Sequence, residues 1–285
     1  MWVIYAILNP IADAARNVFS KKASSNINPL IISWANNLLP LLFFFPFLFF
    51  LDLKFNREFF EAVIVSGLIN ITAVILYHRA ISKGEISLVV PMISFTPLFL
   101  LITSPIIVGE FPDVYGFIGI ILIVTGSYLI NINLKTEGIF TPLKSLLKHK
   151  GTRYMLIVSF IWSISANFDK IGINSSSVFQ YIFFVNLFVF SGTTIFITAK
   201  RKLDFNSIKL EWKNLFFLSL MTTFTFFFHM MALSLTLVAY VVALKRTAGM
   251  ITVILGFFFF KEKNVRNRLL GSTIMFVGIL FIVLL

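Results

Sequence analysis

The chain consists of long apolar runs separated by short polar segments, and this pattern continues from one end to the other. A helix needs about 20 mostly apolar residues to cross the roughly 30 Å hydrocarbon core of a bilayer. The runs predict ten membrane-spanning helices, at residues 2–20, 29–51, 60–80, 86–108, 114–133, 154–173, 179–199, 214–234, 236–260 and 267–285. They lack the strict alternation of transmembrane β-strands. The pattern therefore predicts an all-α integral membrane protein.

The composition favours the same class. Hydrophobic residues make up 58% of the chain and charged residues only 13%, whereas soluble domains average about 25% charged residues. The net charge of +12 would suit nucleic acid only if it were concentrated on a solvated face, and here the basic residues lie between apolar runs. We therefore expect a lipid bilayer, and no nucleic acid, as the surrounding partner.

Basic residues are distributed unevenly between the two ends of the predicted spans. Of the 24 Lys and Arg residues, 18 lie in the loops after spans 1, 3, 5, 7 and 9, whereas the other loops hold two, Lys54 and Arg57. Because cytoplasmic loops are enriched in Lys and Arg, we expect a multi-pass cell (inner) membrane protein with cytoplasmic odd-numbered loops and both termini outside. The basic stretch 135–153 predicts a helix lying on anionic lipid.

The sequence also matches itself after a shift of 152 residues. The shift aligns Tyr77–Ser87 with His229–Ala239, Gly119 with Gly271, and Gly126 with Gly278. Each half then holds five spans, an odd number, so the two halves must have opposite orientations. We predict a first five-helix repeat at 1–133, a basic cytoplasmic linker at 134–153 and a second repeat at 154–285. Inverted repeats with a site near the midplane are typical of secondary transporters.

Two adjacent cations lie deep inside the ninth predicted span. Lys245 and Arg246 are flanked by AYVVAL and TAGMITVIL, so neither side chain extends easily to a membrane surface. Ionisable groups inside a membrane are functional candidates by default because their insertion is costly. Arg offers bidentate hydrogen bonds and Lys a point charge, which suits a substrate phosphate or carboxylate. The alternative is that the pair forms ion pairs with Asp13 or Asp169.

Small and helix-breaking residues accompany this dyad. Gly249, Thr252 and Gly256 share the helix face of Lys245 and leave room beside it. Span 4, the repeat counterpart, carries Pro91, Pro97 and Pro105 instead. Interrupted helices at matching positions point to substrate-contacting elements, and a simple packing kink is the alternative. Tyr240, in the same span as the dyad, is a further candidate substrate contact.

Polar faces on spans 1 and 6 complete the predicted binding site. Span 1 carries Asp13, Arg16 and Asn17 on one face, and span 6, its repeat partner, carries Asn167 on another. Such a face lines a water-filled cavity or the bundle interior rather than lipid. The alternative is that Asp13 and Arg16, three residues apart, simply neutralise each other.

Two further positions have more than one interpretation. His229 in span 8 either bonds a neighbouring helix or titrates and couples transport to protons. Asn36 in span 2 is either an interhelical contact or a substrate contact. We find no phosphate-binding Gly-rich loop, metal-ligand cluster or catalytic triad pattern in the sequence. We therefore expect no enzyme activity, no cofactor and no metal.

Two stretches are especially informative about the family. They read PLFLLITSPIIVGEFPDVYGFIGIILIVTGSYLI at 97–130 and MITVILGFFFFKEKNVRNRLLGSTIMFVGILFIVL at 250–284. With ten spans in two five-helix halves, the chain resembles the EamA-type branch of the drug/metabolite transporter superfamily. The resemblance implies a carrier with a central cavity that moves small metabolites without a cofactor. The Lys245–Arg246 pair is similar to the dyad with which triose-phosphate and nucleotide-sugar translocators hold a phosphate.

These observations together predict a secondary transporter. Its expected substrate is a small anionic, phosphorylated metabolite, moved by alternating access between two inverted repeats in a monomer or homodimer. The alternatives are a carrier of amino acids or other small organic metabolites, a flippase for a phosphorylated lipid carrier, and a channel.

Overall fold

The computed structural model describes residues 1–23, 27–83, 86–131, 138–199, 204–251 and 266–284, and every regular element in these ranges is helical. The α-helices are α1 (Trp2–Ala23), α2 (Pro29–Ala35), α3 (Leu38–Phe44), α4 (Arg57–Ser82), α5 (Ile86–Val89), α6 (Thr96–Ile107), α7 (Val114–Asn131), α8 (Thr141–Lys148), α9 (Lys150–Ser175), α10 (Val178–Ala199), α11 (Phe205–Leu210), α12 (Trp212–Leu233), α13 (Val238–Lys245) and α14 (Arg266–Leu284). Two 3₁₀ segments lie at Phe45–Phe50 and Val90–Phe95. The all-helical fold class is thereby confirmed.

Several of these helices have the dimensions of membrane spans. Within the described ranges, six segments are long and apolar enough to cross a bilayer: Ile31–Phe50, Arg57–Tyr77, Val90–Ile107, Lys150–Ser175, Val178–Ala199 and Trp212–Leu233. Val114–Ile130 and Leu270–Leu284 are shorter apolar helices. The count of ten spans stays a prediction, since residues 252–260 of the predicted ninth span lie outside the described residues.

The chain forms two compact units, and each unit combines two segments that are far apart in the sequence. Unit 1 contains Met1–Ile71 and Phe168–Leu235, and unit 2 contains Thr72–Asn167 and Thr236–Leu285. The long helices α4 and α9 each contribute residues to both units. The two predicted repeats are consecutive stretches of sequence, whereas each compact unit joins two separate stretches. The compact units therefore do not test the predicted linker at 134–153, which stays a prediction.

In unit 1, α1 packs against α12 in the antiparallel sense. The Asn9 side-chain amide donates a hydrogen bond to the Thr225 carbonyl oxygen at 2.8 Å. Further along α1, the Phe19 ring stacks on Phe217 with 5.3 Å between ring centroids. Residue numbers therefore rise along one helix as they fall along the other. The amide nitrogen thus has a backbone acceptor, whereas the buried Asn9 Oδ1 atom has no hydrogen-bond partner in the described part of the chain.

In unit 2, α7 and α14 approach so closely that their backbones touch. A Cβ atom on Gly271 would lie 2.7 Å from the Gly126 carbonyl oxygen, and one on Gly278 would lie 2.7 Å from that of Gly119. Only glycine allows this approach, which is typical of helix pairs in membranes. The 152-residue shift pairs Gly119 with Gly271 and Gly126 with Gly278. In the structure, each α7 glycine instead contacts the repeat equivalent of the other α7 glycine. Antiparallel packing with this exchange is what two oppositely oriented repeats predict.

The fourth predicted span is divided rather than continuous. It runs from α5 through the 3₁₀ segment Val90–Phe95 into α6. Pro91 and Pro97 lie in the first turns of the last two pieces, where a missing N–H removes no helical hydrogen bond. The 152-residue shift places this 3₁₀ segment on residues 242–247, where α13 ends. Predicted span 4 and its repeat counterpart, predicted span 9, are thus interrupted at corresponding positions.

Candidate functional site

Lys245 and Arg246 lie where the ninth predicted span passes from one helical stretch to the next. The helix α13 ends at Lys245, residues 246 and 247 form a turn, and residues 248–251 are helical again. The backbone N–H groups of Arg246 and Thr247 donate to carbonyl oxygens three residues back, each at 3.0 Å. A switch from four-residue to three-residue spacing is typical of a hinge or a strained segment.

The environment of this dyad differs from that of the preceding residues. Both side chains are half-buried, whereas α13 is buried from Val238 to Leu244. In the described part of the chain, a Cβ atom on Gly249 would have no heavy atom within 4 Å outside its chain neighbours and its own helix backbone. Among the described residues, the position of a side chain at Gly249 is therefore open, and the predicted space beside Lys245 stays a prediction. Thr252 and Gly256, the other small residues on this predicted helix face, lie outside the described residues.

The loop between α6 and α7 holds the first turn of α13. The Glu110 carboxylate accepts a hydrogen bond from the Val238 N–H at 2.9 Å. Asp113 accepts one from the Gly116 N–H at 2.7 Å and also hydrogen-bonds the Tyr240 hydroxyl. Tyr240, predicted as a substrate contact, therefore fixes the start of the helix that carries the dyad. Sequence reasoning could not find this role of Tyr240, because it depends on a tertiary contact.

Tyr240 also lies so close to α7 that a side chain on Gly116 is excluded. A Cβ atom on Gly116 would overlap the Tyr240 hydroxyl oxygen. Because α13 has only eight residues, from Val238 to Lys245, Lys245 lies only about 10 Å along the helix axis from Val238. Contacts at its first turn therefore set the position of the dyad.

Asn167, the remaining predicted site residue of unit 2, is buried on α9. Its amide nitrogen donates to the Thr103 hydroxyl at 3.1 Å and to the Ser163 carbonyl oxygen at 2.8 Å. The Asn167 Oδ1 atom is buried and has no hydrogen-bond partner in the described part of the chain. A buried acceptor of this kind is uncommon in native proteins. It is a potential acceptor for a ligand or a water molecule.

On the N-terminal side of Asn167, the polar face of α9 makes a series of hydroxyl contacts with the fourth predicted span. Ser159 and Thr96 lie 2.9 Å apart through their hydroxyl oxygens. The Thr103 hydroxyl donates to Ser163 at 3.3 Å. In this structure, the face therefore hydrogen-bonds inside the bundle, which is one of the two environments expected for it.

The other predicted site residues belong to unit 1. Asp13 and Arg16 form an ion pair of 2.8 Å on α1, and the Arg16 guanidinium also donates to Asn17 at 3.2 Å. The Arg16 side chain remains 29% exposed. The mutual neutralisation considered for this pair is thus present, and the cation still reaches solvent-accessible space.

Asn36 contacts the α12 helix, and His229 lies on it. The Asn36 Oδ1 atom accepts a hydrogen bond from the Thr222 hydroxyl at 3.1 Å. Asn36 and Asn37 separate α2 from α3, so the predicted second span is also interrupted. His229 is buried on α12. Asn36 therefore has the interhelical contact that was one of its two interpretations.

Unit 1 contains a buried polar cluster that did not enter the predicted site. The Asp169 Oδ1 atom accepts hydrogen bonds from the Ser66 hydroxyl at 2.5 Å and the Tyr181 hydroxyl at 2.8 Å. Lys170 donates to the Leu233 carbonyl oxygen at 2.6 Å, where a cation suits the C-terminal end of α12. An Asp–Lys pair in an apolar run was a visible signal. Nothing in the sequence indicated that Tyr181 would be a partner of Asp169, because aromatic residues are common in every span.

We expect Tyr181→Phe to lower the free energy of unfolding by about 1–3 kcal/mol, because a buried carboxylate then loses a donor. Reversible denaturation in mixed micelles measures this effect. Tyr115→Phe is the matched control, since Tyr115 is 51% exposed and should change stability little. Equal stabilities of the Tyr181→Phe and Tyr115→Phe proteins would contradict the structural role of the Tyr181 hydroxyl.

Comparison with known proteins identifies the family. The sequence model of the EamA-like transporter family matches residues 1–132 and 149–284. No curated protein sequence matches the chain. A solved structure described only as "Crystal structure of protein" aligns with a TM-score of 0.75 at 11% identity, covering 99% of this chain and 97% of that chain. At this identity the likeness shows a shared fold.

Proposed function

Because the chain belongs to the EamA-like transporter family, we propose that this multi-pass membrane protein is a secondary transporter of a small anionic metabolite. Ten spans in two inverted five-helix repeats alternate the exposure of one binding site. The antiparallel glycine contacts between α7 and α14 support the inverted arrangement. The bias of 18 basic residues to two supports cytoplasmic odd-numbered loops.

The observation that carries the proposal is the position of Lys245 and Arg246 at an interruption between two helical stretches of the predicted ninth span. Interrupted transmembrane helices expose backbone groups that are tolerated only where they line a cavity or are buried in protein. In transporters such interruptions surround the substrate site. The space beside Gly249 lies one helical turn from Lys245, so a ligand placed there is within reach of the dyad.

The charge of the dyad favours a phosphorylated substrate. A phosphate monoester carries about −1.5 to −2 charges near neutral pH, which matches two adjacent cations. An amino acid brings one carboxylate together with an ammonium group, so it offers less negative charge to the two cations. A guanidinium binds phosphate oxygens in a bidentate manner, and the lysine adds a point charge. The likeness of this dyad to that of triose-phosphate and nucleotide-sugar translocators agrees with this choice.

The remaining polar residues are proposed to complete the site. Asn167 and Tyr240 belong to the same unit as the dyad, and Asn167 offers its buried Oδ1 as an acceptor. Asp13, Arg16, Asn17, Asn36 and His229 belong to the other unit and are retained as proposed substrate contacts.

Counterflow in proteoliposomes tests the proposed activity. Vesicles containing the purified protein are loaded with an unlabelled phosphorylated metabolite, and uptake of the labelled compound is followed. We expect saturable uptake that internal substrate accelerates, because a carrier alternates one site between the two sides. Non-saturable flux would instead indicate a channel, and translocation of a labelled lipid phosphate without metabolite exchange would indicate a flippase.

A further inference from the structure

A basic surface lies around α8 and the start of α9, in unit 2. Its members are Lys83, Lys144, Lys148, Lys150 and Arg153, all of which are exposed. Lys144 and Lys148 are four residues apart on α8 and therefore share a face. Residues 138–167 contain no Asp or Glu, so no neighbour in that stretch neutralises these cations.

This segment is fixed to the helical core of its unit. The Tyr128 hydroxyl, on α7, donates a hydrogen bond to the Ile139 carbonyl oxygen at 2.9 Å. Leu143 packs against a buried cluster that includes Met155 and Val158 of α9. The α8 helix is thus held at both its entry and its inner face, and the lysines on its outer face have a defined location.

A second feature distinguishes the surface from an ordinary solvated charge cluster. Ile139 and Phe140, which immediately precede α8, are 48% and 65% exposed. The Lys83 ammonium lies over the Tyr154 ring, 5.8 Å from its centroid, which places this cation beside the N-terminal part of α9. Cations next to exposed apolar side chains are typical of segments that lie at a membrane interface.

From these observations we propose that the basic surface is a binding site for the phosphate headgroups of anionic phospholipids. The headgroups contact the lysines and Arg153, while Ile139 and Phe140 enter the adjoining acyl-chain region. Basic residues next to a membrane attract anionic lipid, each strengthening binding about fivefold. The site is separate from the dyad in sequence and does not depend on the identity of the transported substrate.

Native mass spectrometry of the intact protein in detergent tests this site. The protein is titrated with phosphatidylglycerol, with phosphatidylcholine as the neutral reference. We expect Lys144→Gln/Lys148→Gln/Lys150→Gln to weaken phosphatidylglycerol binding about 100-fold. The control Lys22→Gln/Lys209→Gln/Lys213→Gln removes the same charge from exposed positions of unit 1. It should change the affinity less than about threefold.

Two outcomes would overturn the proposal. One is an equal loss of phosphatidylglycerol in both triple variants, which would show a response to net charge alone. The other is binding of phosphatidylcholine as tight as that of phosphatidylglycerol to the wild-type protein. If the first triple variant does not fold, Lys148→Gln provides the same comparison with an expected change of about fivefold. The Lys245→Gln/Arg246→Gln protein should retain its phosphatidylglycerol, which separates this site from the transport site.

Discussion

Replacing Lys245 and Arg246 together by glutamine should reduce the uptake of a phosphorylated metabolite at least about 100-fold. Hydrogen bonds to charged groups contribute about 1.5–3 kcal/mol each, so losing both cations removes about 3–6 kcal/mol of interaction with the substrate anion. The initial uptake rate into proteoliposomes, measured below the half-saturating concentration, reports this loss. The variant should still fold, because neutral side chains are less costly than cations inside a membrane.

The matched control for this variant is Lys54→Gln/Arg57→Gln. It also removes one lysine and one arginine, but both residues are exposed, and the Arg57–Glu61 ion pair has side-chain exposures of 86% and 52%. Exposed pairs of this kind contribute about 0–1 kcal/mol, so uptake should be nearly unchanged. Equal uptake by the wild-type protein and the dyad variant would show that the cations do not bind the transported anion.

Replacing Gly126 by alanine should destabilise the protein by about 3 kcal/mol, an overpacking cost at the upper end of the usual range. An added Cβ atom would overlap the Gly271 carbonyl oxygen and lie 2.9 Å from the Met275 backbone nitrogen. Because the obstructing atoms belong to the backbone, no change of rotamer relieves the contact. The two helices must separate along their length. Denaturation in mixed micelles gives the free energy of unfolding.

Gly249→Ala is the matched control, because the same glycine-to-alanine change should not lower stability there. The methyl group added at Gly249 meets no heavy atom within 4 Å from the described residues other than its chain neighbours and its own helix backbone. Alanine is also about 1 kcal/mol better than glycine within a helix. Stability should therefore be unchanged or slightly higher. Similar losses at Gly126 and Gly249 would mean that the close approach of α7 and α14 is not what makes Gly126 necessary.

Hydropathy predicts where the helices lie because a membrane requires about 20 consecutive apolar residues with satisfied backbone groups. The helix predicted at 114–133 is observed at Val114–Asn131, and the one predicted at 179–199 is observed at Val178–Ala199. Hydropathy does not predict the interruption at residues 36–37, because a short turn between two apolar stretches leaves the average unchanged. The break near Pro91 was predictable, because proline cannot donate a helical hydrogen bond.

The candidate site shows a similar division between what a sequence reveals and what it does not. Cations in an apolar span are conspicuous, so Lys245 and Arg246 can be identified without coordinates. The polar face that includes Asn167 is visible from helical spacing, but its contact with Thr103 joins residues 64 positions apart. The contact of Tyr240 with Asp113 is equally non-local. Helix periodicity reports which residues share a face, and only tertiary packing decides what that face meets.

The change in unfolding temperature of the purified protein on adding ligand tests anion binding by the dyad most directly. Phosphorylated metabolites, nucleotides and amino acids are added in turn to the wild-type protein and to both double variants. A ligand that binds only the folded state raises its stability. We predict that a phosphorylated compound stabilises the wild-type and Lys54→Gln/Arg57→Gln proteins, but not Lys245→Gln/Arg246→Gln. Equal stabilisation of all three proteins would show that Lys245 and Arg246 do not bind the anion.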